Sequence, residues 1–346
     1  MVISGCDSCS HRRPSGPSCG SDTHHKGSDG PGCAPDVCGL NGFWLGEGVP
    51  FRTLNLQRAV GSGAYEPNAE HLRISRFSIV KGTEEVELVP DVTGDALSGT
   101  SATGEVFTST KLAGAMLTLE QLDDNNQSVV ETYDLTITGV HTEKAWAKHP
   151  SDAMYADVPI YDFSARTHEG CDVRVCDPSL ATDPSTGNID GHAVIFQGDL
   201  YEDDNYQVTR APDTKLVNIA CLGTAISKMH MFRHTAAGAP TPGNPVPVDD
   251  EQALLRLMTG DYCGRGKPLT RNGTPIRIQV PGFVTNTGYA IPDPAHVTID
   301  ARWNDRGATC ITTPRAMTLD KIVATCGHTF DRCPPTLGAG YVSVDP

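Results

Sequence analysis

Two segments of the chain predict its most regular structure: residues 218–235 read NIACLGTAISKMHMFRHT, and residues 249–264 read DDEQALLRLMTGDYCG. Apolar residues recur at helical spacing in both segments, at Leu222, Ile226 and Met229 in the first and at Leu254, Leu257 and Met258 in the second. Prolines at positions 240, 242, 245 and 247 interrupt helical structure between the segments. The pattern therefore predicts two short helices joined by a loop, as in a helix hairpin. Either Asn218 or Thr224 could cap the start of the first helix.

Each predicted helix carries a cysteine at its outer end. An antiparallel hairpin places the start of the first helix beside the end of the second, so Cys221 and Cys263 are expected to lie close together. We predict a disulfide between them. Such a bond would close a loop of about forty residues and stabilise the fold by about 3–4 kcal/mol on the basis of chain entropy.

The chain contains twelve cysteines, and their spacing matches no zinc-binding pattern. Disulfides in an oxidising compartment are the better interpretation. Cys171 and Cys176 are predicted either to pair with each other or to pair elsewhere. Cys310 is predicted to pair with Cys326 or with Cys333, which leaves one cysteine of this group with a partner upstream. The remaining cysteines are Cys6, Cys9, Cys19, Cys33 and Cys38.

Composition limits the classes of function. The chain has 346 residues, enough for two domains or for one domain with long insertions, and a formal net charge of −15. This acidity argues against nucleic acid as a partner, because phosphates require a surface rich in Lys and Arg. No run of eighteen or more apolar residues occurs, so the sequence predicts no transmembrane segment.

Short stretches of alternating apolar and polar residues, separated by turn residues, fill much of residues 38–214. They predict an antiparallel sandwich or a small barrel. Residues 297–311 predict a further β-hairpin that carries Trp303 and Cys310. The expected fold class is α+β, with this N-terminal strand-rich domain followed by a smaller region of residues 215–346. That smaller region would combine the helix hairpin and the β-hairpin, stapled by disulfides.

The N-terminal residues 1–37 consist mainly of Ser, Gly, Asp, His and Cys, and predict a disordered tether. Val2-Ile3-Ser4-Gly5-Cys6 is similar to the end of a bacterial lipoprotein signal, in which the cysteine receives the lipid. No positive and apolar regions precede it. Either the gene start was assigned too late and Cys6 is lipid-anchored, or the likeness is accidental.

Candidate site residues are few. His230 and His234 are four residues apart, so on a helix they would share one face and form a candidate metal pair, with Asp261 as a third candidate ligand. The residue after the first histidine is Met231, whereas a zincin helix has glutamate there. We therefore expect hydrogen-bonded or exposed histidines, and predict no metal, no cofactor and no catalytic residue.

Three segments carry a resemblance to a known family: NIACLGTAISKMHMFRHT, LLRLMTGDYCGRG and ARWNDRGATCITTPRA. They resemble the bacterial ADYC-domain family, which is named for an Ala-Asp-Tyr-Cys motif. The motif stands here as Gly260-Asp261-Tyr262-Cys263, with glycine in place of alanine. The resemblance is strongest over residues 215–333 and implies an exported or lipoprotein-type envelope protein. It provides no catalytic residues.

These observations favour a non-catalytic exported protein that binds an unknown protein or surface partner, or that has a structural role in the envelope. The expected location is extracytoplasmic, meaning secreted, periplasmic or on the outer surface, with a lipid anchor if Cys6 is modified. One alternative is an exported metal-assisted hydrolase that uses His230 and His234. A further alternative is a secreted effector.

Overall fold

A computed structural model describes residues 52–61, 63–173, 175–176, 192–202, 206–210, 215–238, 245–269, 277–285, 297–315 and 317–345. The predicted tether of residues 1–37, including Cys6, lies outside these residues. Across the described ranges, every helix is too short or too polar to cross a membrane.

Nineteen strands form in the described part of the chain. They are β1 (Thr53–Asn55), β2 (Leu72–Lys81), β3 (Glu84–Thr93), β4 (Ala96–Ser101), β5 (Val106–Thr108), β6 (Ala115–Leu122), β7 (Val129–Lys144), β8 (Ala147–Lys148), β9 (Asp157–Thr167), β10 (Asp172–Val173), β11 (His192–Gln197), β12 (Leu200–Glu202), β13 (Gln207–Thr209), β14 (Leu216–Cys221), β15 (Arg277–Gln279), β16 (Val284–Thr285), β17 (Thr298–Asn304), β18 (Gly307–Ile311) and β19 (Tyr341–Asp345). The three helices are α1 (Ala225–Met231), α2 (Val248–Thr259) and α3 (Leu319–Cys326), and a 3₁₀ turn covers Ser109–Leu112.

Eleven of these strands form one antiparallel sheet, in the order β1-β14-β11-β9-β7-β6-β2-β3-β4-β5, with β10 beside β9. The sheet is curled, which is shown by contacts between strands that are far apart in this order. The backbone N–H of Leu97 in β4 donates to the Tyr161 hydroxyl in β9 at 2.8 Å. The backbone N–H of Gln197 at the end of β11 donates to the Gly94 carbonyl next to β4 at 2.9 Å. An apolar core fills the inner face.

A second core lies on the other face of this sheet and is shared by three layers. The helices α1 and α2 form the middle layer, and a four-stranded sheet in the order β15-β19-β17-β18 covers them. Helix α2 is buried on all sides from Glu251 to Thr259. The sequence pattern predicted only one apolar face for α2, and the second sheet explains why its polar side is buried as well.

The sequence allowed either Asn218 or Thr224 to cap the first helix, and the structure confirms Thr224. Residues 216–221 form β14, and α1 begins only at Ala225, where the Thr224 side chain caps it by accepting a hydrogen bond from the Ser227 backbone N–H. In β14, Val217 and Ile219 fall on the inner face and Ala220 on the outer face, and both faces of the strand are covered. A strand that is buried on both faces is apolar throughout, and its pattern is easily mistaken for that of a helix.

The predicted disulfide between Cys221 and Cys263 is wrong. Among the described residues the disulfides are Cys176–Cys221, Cys263–Cys326 and Cys310–Cys333. Because Cys221 lies at the end of a sheet strand, its side chain faces the segment after β10 rather than the end of α2. The pairing of Cys171 with Cys176 is excluded, the second option for Cys310 is confirmed, and Cys326 has the expected upstream partner.

The predicted fold class is confirmed. A strand-rich antiparallel region comes first, and a smaller region with small helices and disulfides follows it. The predicted division near residue 214 stays a prediction. The large sheet continues past that point, because β14 pairs with both β1 and β11.

Candidate functional site

The Asp261-Tyr262-Cys263 motif forms a buried corner after α2. Helix α2 ends at Gly260, whose φ of 62° lies in the left-handed region that glycine adopts without strain. The Asp261 carboxylate then accepts hydrogen bonds from the backbone N–H groups of Arg265 and Gly266, at 3.1 and 2.8 Å. The chain therefore reverses direction at Gly260, and the hydrogen bonds to Asp261 stabilise the turn that follows.

Asp261 also pairs with an arginine of the preceding helix. Its Oδ2 lies 2.5 Å from Nη1 of Arg256, and both side chains are almost completely buried. Burial raises the pKa of the Asp261 carboxyl, and the Arg256 guanidinium, followed by the Gly266 and Arg265 N–H groups, opposes this shift. The contacts of this carboxylate are thus structural, and burial keeps it away from solvent.

The tyrosine of the motif is equally enclosed. The Tyr262 hydroxyl donates to Oδ1 of Asp300 at 2.7 Å, and its ring packs on the Trp303 indole at a centroid distance of 4.9 Å. Asp300 also accepts a hydrogen bond from Ser343 and lies 3.4 Å from Nη1 of Arg315. Burial raises the pKa of Tyr262 well above its usual value, and the neighbouring Asp300 adds to that effect. The hydroxyl is therefore a fixed donor.

The corner is docked tightly on the β17–β18 hairpin. The backbone N–H of Ala308 donates to the Tyr262 carbonyl at 3.0 Å. A Cβ atom added at Gly264 would lie 1.8 Å from the Arg306 carbonyl oxygen, so only glycine fits there. Cys263 completes the corner through its disulfide to Cys326 at the end of α3. The motif joins α2, α3 and the second sheet.

The two candidate histidines do not share a helix face. Helix α1 ends at Met231, and His234 lies beyond it. The Nδ1 atom of His230 forms a 2.9 Å hydrogen bond with the Thr235 hydroxyl, and the ring stacks on Phe196 at a centroid distance of 4.5 Å. His230 is therefore hydrogen-bonded, as expected. The prediction that His230 and His234 share one helix face is wrong.

His234 has a different set of contacts. Its Nε2 atom forms a 2.8 Å hydrogen bond with the Tyr341 hydroxyl, and its ring meets Phe283 edge to face. Burial lowers the pKa of His234 to about 4, so the ring is neutral near pH 7. Asp261 has its own partners in the motif corner, and the three candidate ligands do not converge.

A buried acid pair lies between α2 and the large sheet. Asp199 and Glu251 are both 0 % exposed, and Arg210 bridges them at 2.9 Å and 3.2 Å. Burial, followed by the nearby Asp199 charge, raises the pKa of Glu251 to about 10, so Glu251 is protonated at neutral pH. Asp199 also accepts the backbone N–H of Ala236 at 3.1 Å. Asp199 follows β11 in a stretch rich in acidic residues, and the sequence alone shows no signal for its burial.

A different group of side chains has the composition of a metal site. Among the described residues, the ligand atoms of three His, Cys, Asp or Glu side chains converge only at His141, Asp162 and His192, all within 4.8 Å of one another. These residues come from β7, β9 and β11, and all three are half-buried. Sequence reasoning missed them because each ligand comes from a different strand and no local motif joins them.

Comparison with known proteins gives one match. The family model of the ADYC domain matches residues 109–317, which is more than half of the chain. No curated protein and no solved structure matches significantly. The matched region begins before β6 and includes the strands that carry His141, Asp162 and His192, together with α1, α2 and the motif corner. This chain therefore belongs to the ADYC-domain family.

Proposed function

We propose that this chain is a non-catalytic exported protein that acts by binding a partner or as a structural component of the cell envelope. The three described disulfides support an extracytoplasmic location, since such bonds persist in oxidising compartments and are rare in the cytosol. The acidic charge of −15 favours a soluble surface over one that docks on anionic lipid or nucleic acid.

One observation carries the non-catalytic part of the proposal, namely the use of the family motif. Catalytic groups must touch a substrate, and the most recognisable residues of this family are instead engaged inside the fold. Asp261 and Tyr262 are 0 % and 1 % exposed and have fixed partners, and the Cys263 thiol is consumed by a disulfide. Residues used in this way support a rigid scaffold. Any partner would bind to the surface of that scaffold.

The hydrolase alternative was based on His230 and His234. Their contacts with Thr235 and Tyr341 give this alternative no support, because each ring points to a separate structural partner. No contact in the described residues favours the effector alternative. The binding or structural role is therefore the better supported proposal.

The location is tested by peptide mapping of the natural protein. Cells that produce it are fractionated after rapid alkylation of free thiols, and non-reduced peptides are analysed by mass spectrometry. We expect linked peptides for Cys176–Cys221, Cys263–Cys326 and Cys310–Cys333 in the extracytoplasmic fractions. A cytosolic protein with alkylated cysteines would contradict export.

The role of the motif is tested by comparing Tyr262→Phe with the natural chain. We expect Phe to lower thermal stability, because Asp300 loses a buried hydrogen-bond donor, while the folded fraction keeps its full partner binding or cellular role. A variant that stays fully folded and stable but loses its cellular role would indicate that the hydroxyl acts chemically.

The proposal extends to a lipid anchor at Cys6, supported by the sequence Val2-Ile3-Ser4-Gly5-Cys6. Metabolic labelling with a fatty-acid probe is expected to label the natural chain and not the Cys6→Ser variant. Equal labelling of both would contradict an anchor at this residue, and absence of labelling in both would leave a secreted or periplasmic protein without one.

A further inference from the structure

Three adjacent strands of the large sheet place one potential metal ligand each at the same point. His192 at the start of β11 is directly opposite Asp162 in β9, and Gly139 in β7 is opposite Asp162 on its other side. His141 follows Gly139 by two residues, so it points to the same face as the two others. Side chains at direct and diagonal positions of neighbouring strands are within reach of each other.

Gly139 makes the approach of the carboxylate possible. A Cβ atom at this position would lie 2.5 Å from Oδ2 of Asp162, which is closer than atoms in contact allow. The register between β7 and β9 also shifts between Ile137 and Gly139, which brings His141 into line with the other two residues. The absence of a side chain at residue 139 thus leaves the space into which Asp162 extends.

The distances between the polar atoms are close to those of a metal site. The Nδ1 atom of His192 contacts Oδ1 of Asp162, and Nδ1 of His141 lies 3.9 Å from Oδ2 of the same carboxyl group. The two imidazole rings meet edge to face at a centroid distance of 4.7 Å. Ligand atoms of a tetrahedral zinc site are about 3.3 Å apart for metal–ligand bonds of about 2.0–2.1 Å. The ligand atoms of the three residues lie within 4.8 Å of one another, a separation of the same order.

We propose that His141, Asp162 and His192 bind one divalent transition-metal ion of the zinc class. Two imidazoles and one carboxylate suit zinc, cobalt, nickel or copper, whereas calcium and magnesium select oxygen ligands. The side chains are 40 %, 31 % and 24 % exposed, so an ion can enter from solvent. Water would complete the coordination, because the described part of the chain provides three ligands.

The surroundings of His192 hold the site in place. Its carbonyl accepts a hydrogen bond from the Leu222 N–H at 2.8 Å, and Sγ of Cys176 lies 3.7 Å from the same oxygen. The Cys176–Cys221 disulfide therefore lies directly beside β11. On the other side, β7 and β9 pair over almost their whole length. Metal affinity is high when ligands are held before the ion binds.

The test is metal binding by the purified full-length chain. Protein freed of metal by chelator is titrated with zinc in competition with a chromophoric chelator, and cobalt(II) is used for its absorption spectrum. We expect one equivalent bound at this site with a four- or five-coordinate cobalt spectrum. Single variants His141→Ala, Asp162→Ala and His192→Ala are expected to lose this spectrum and to bind zinc more than about 100-fold more weakly.

Two controls separate this site from other histidines. His24 and His25 in the N-terminal segment are replaced together by alanine, because a polar histidine-rich segment also binds metals weakly. The exposed His149 is replaced in a second control. Both control variants are expected to keep the cobalt spectrum and the zinc equivalent. If the natural chain binds no ion, or if the His141 and His192 variants bind as the natural chain does, the proposal is overturned.

A further variant keeps all three ligands. Gly139→Ala introduces the Cβ atom that meets the Asp162 carboxylate, and we expect zinc affinity to fall by on the order of 10- to 100-fold. Thr138→Ala, at an exposed neighbouring position, is the matched control and should leave affinity unchanged. Circular dichroism checks that both variants are folded. Unchanged affinity in a folded Gly139→Ala protein would contradict the geometry proposed here.

Discussion

The motif corner and the three-strand cluster use similar residue types in opposite ways. Asp261 in the corner is 0 % exposed and has Arg256 and two backbone N–H groups as partners. Asp162 in the cluster is partly exposed and lies against two histidines. The charge of Asp261 is neutralised within the protein, whereas the carboxylate and imidazoles of the cluster remain accessible to an ion from solvent.

This difference indicates where function is expected in the molecule. A buried ion pair fixes the path of the chain, and breaking it leaves an uncompensated charge in the core. A half-exposed cluster contributes little to stability and is free to bind a ligand. In this protein Asp261 of the recognisable motif is part of a buried ion pair. The residues of the half-exposed cluster belong to no sequence motif.

The largest expected effect comes from Asp261→Asn. This change removes the carboxylate charge that faces the buried Arg256 guanidinium, and we expect the free energy of unfolding to fall by roughly 3–5 kcal/mol. Chemical denaturation measures it. The matched control is Asp157→Asn, which breaks the exposed 2.7 Å pair with Lys144 and should cost at most about 1 kcal/mol. Equal effects of the two variants would remove the contrast between buried and exposed pairs.

The disulfide at the corner is expected to rank next. Replacing Cys263 and Cys326 with alanine opens a link between residues 63 positions apart, which costs about 4 kcal/mol on the basis of chain entropy. The double variant of Cys310 and Cys333, which are 23 positions apart, is the comparison and should lose about 1 kcal/mol less. Thermal unfolding of both variants measures the order, and a reversed order would contradict the entropic account.

A pH-dependent effect of about 3 kcal/mol is expected at His234. Its pKa of about 4 in the folded protein is lower than the usual 6.5, so the unfolded chain binds the proton first as pH falls. The stabilisation is complete above pH 6.5 and declines between pH 6.5 and pH 4. Relative to the His234→Gln variant, the natural chain should lose about 3 kcal/mol over this range.

Denaturation at several pH values measures the difference between these two proteins. His149→Gln, which changes an exposed histidine, is the control and should follow the natural chain at each pH. A constant difference between the natural chain and the His234 variant would show that His234 is not buried in its neutral form.

The smallest expected effect is that of His141→Ala in metal-free protein. The side chain is 40 % exposed and is not part of the apolar core, so the free energy of unfolding should change by no more than about 0.5 kcal/mol. Denaturation in the presence of a chelator measures this. A loss of several kcal/mol would place His141 with the buried residues of the corner rather than with accessible ligands.

Much of the fold followed from local patterns. Period-two alternation predicted the strand-rich first region, and Leu254, Leu257 and Met258 predicted α2, because both signals depend only on neighbours in the sequence. The pattern failed at Asn218 to Cys221, where a strand covered on both faces is as apolar as a helix. Of the two possible caps of the first helix, Asn218 therefore belongs to β14 and Thr224 caps α1.

The candidate sites show the limit of local patterns more clearly. His230 and His234 lie four residues apart and formed a plausible pair, yet α1 ends between them and each ring has a separate partner. His141, Asp162 and His192 are separated by 21 and 30 residues. Only the register of three strands brings them together, and register is determined by core packing and turns rather than by the ligands themselves.

The sequence by itself determined the acidic charge, the number of cysteines, the strand-rich class and the presence of the Asp-Tyr-Cys motif. Tertiary structure alone decided that Cys221 pairs with Cys176, that Cys263 pairs with Cys326, and that Asp261 is buried against Arg256. The physical reason is that residue type and spacing act locally. Disulfide pairing, burial and ligand convergence depend instead on which distant surfaces the apolar core brings into contact.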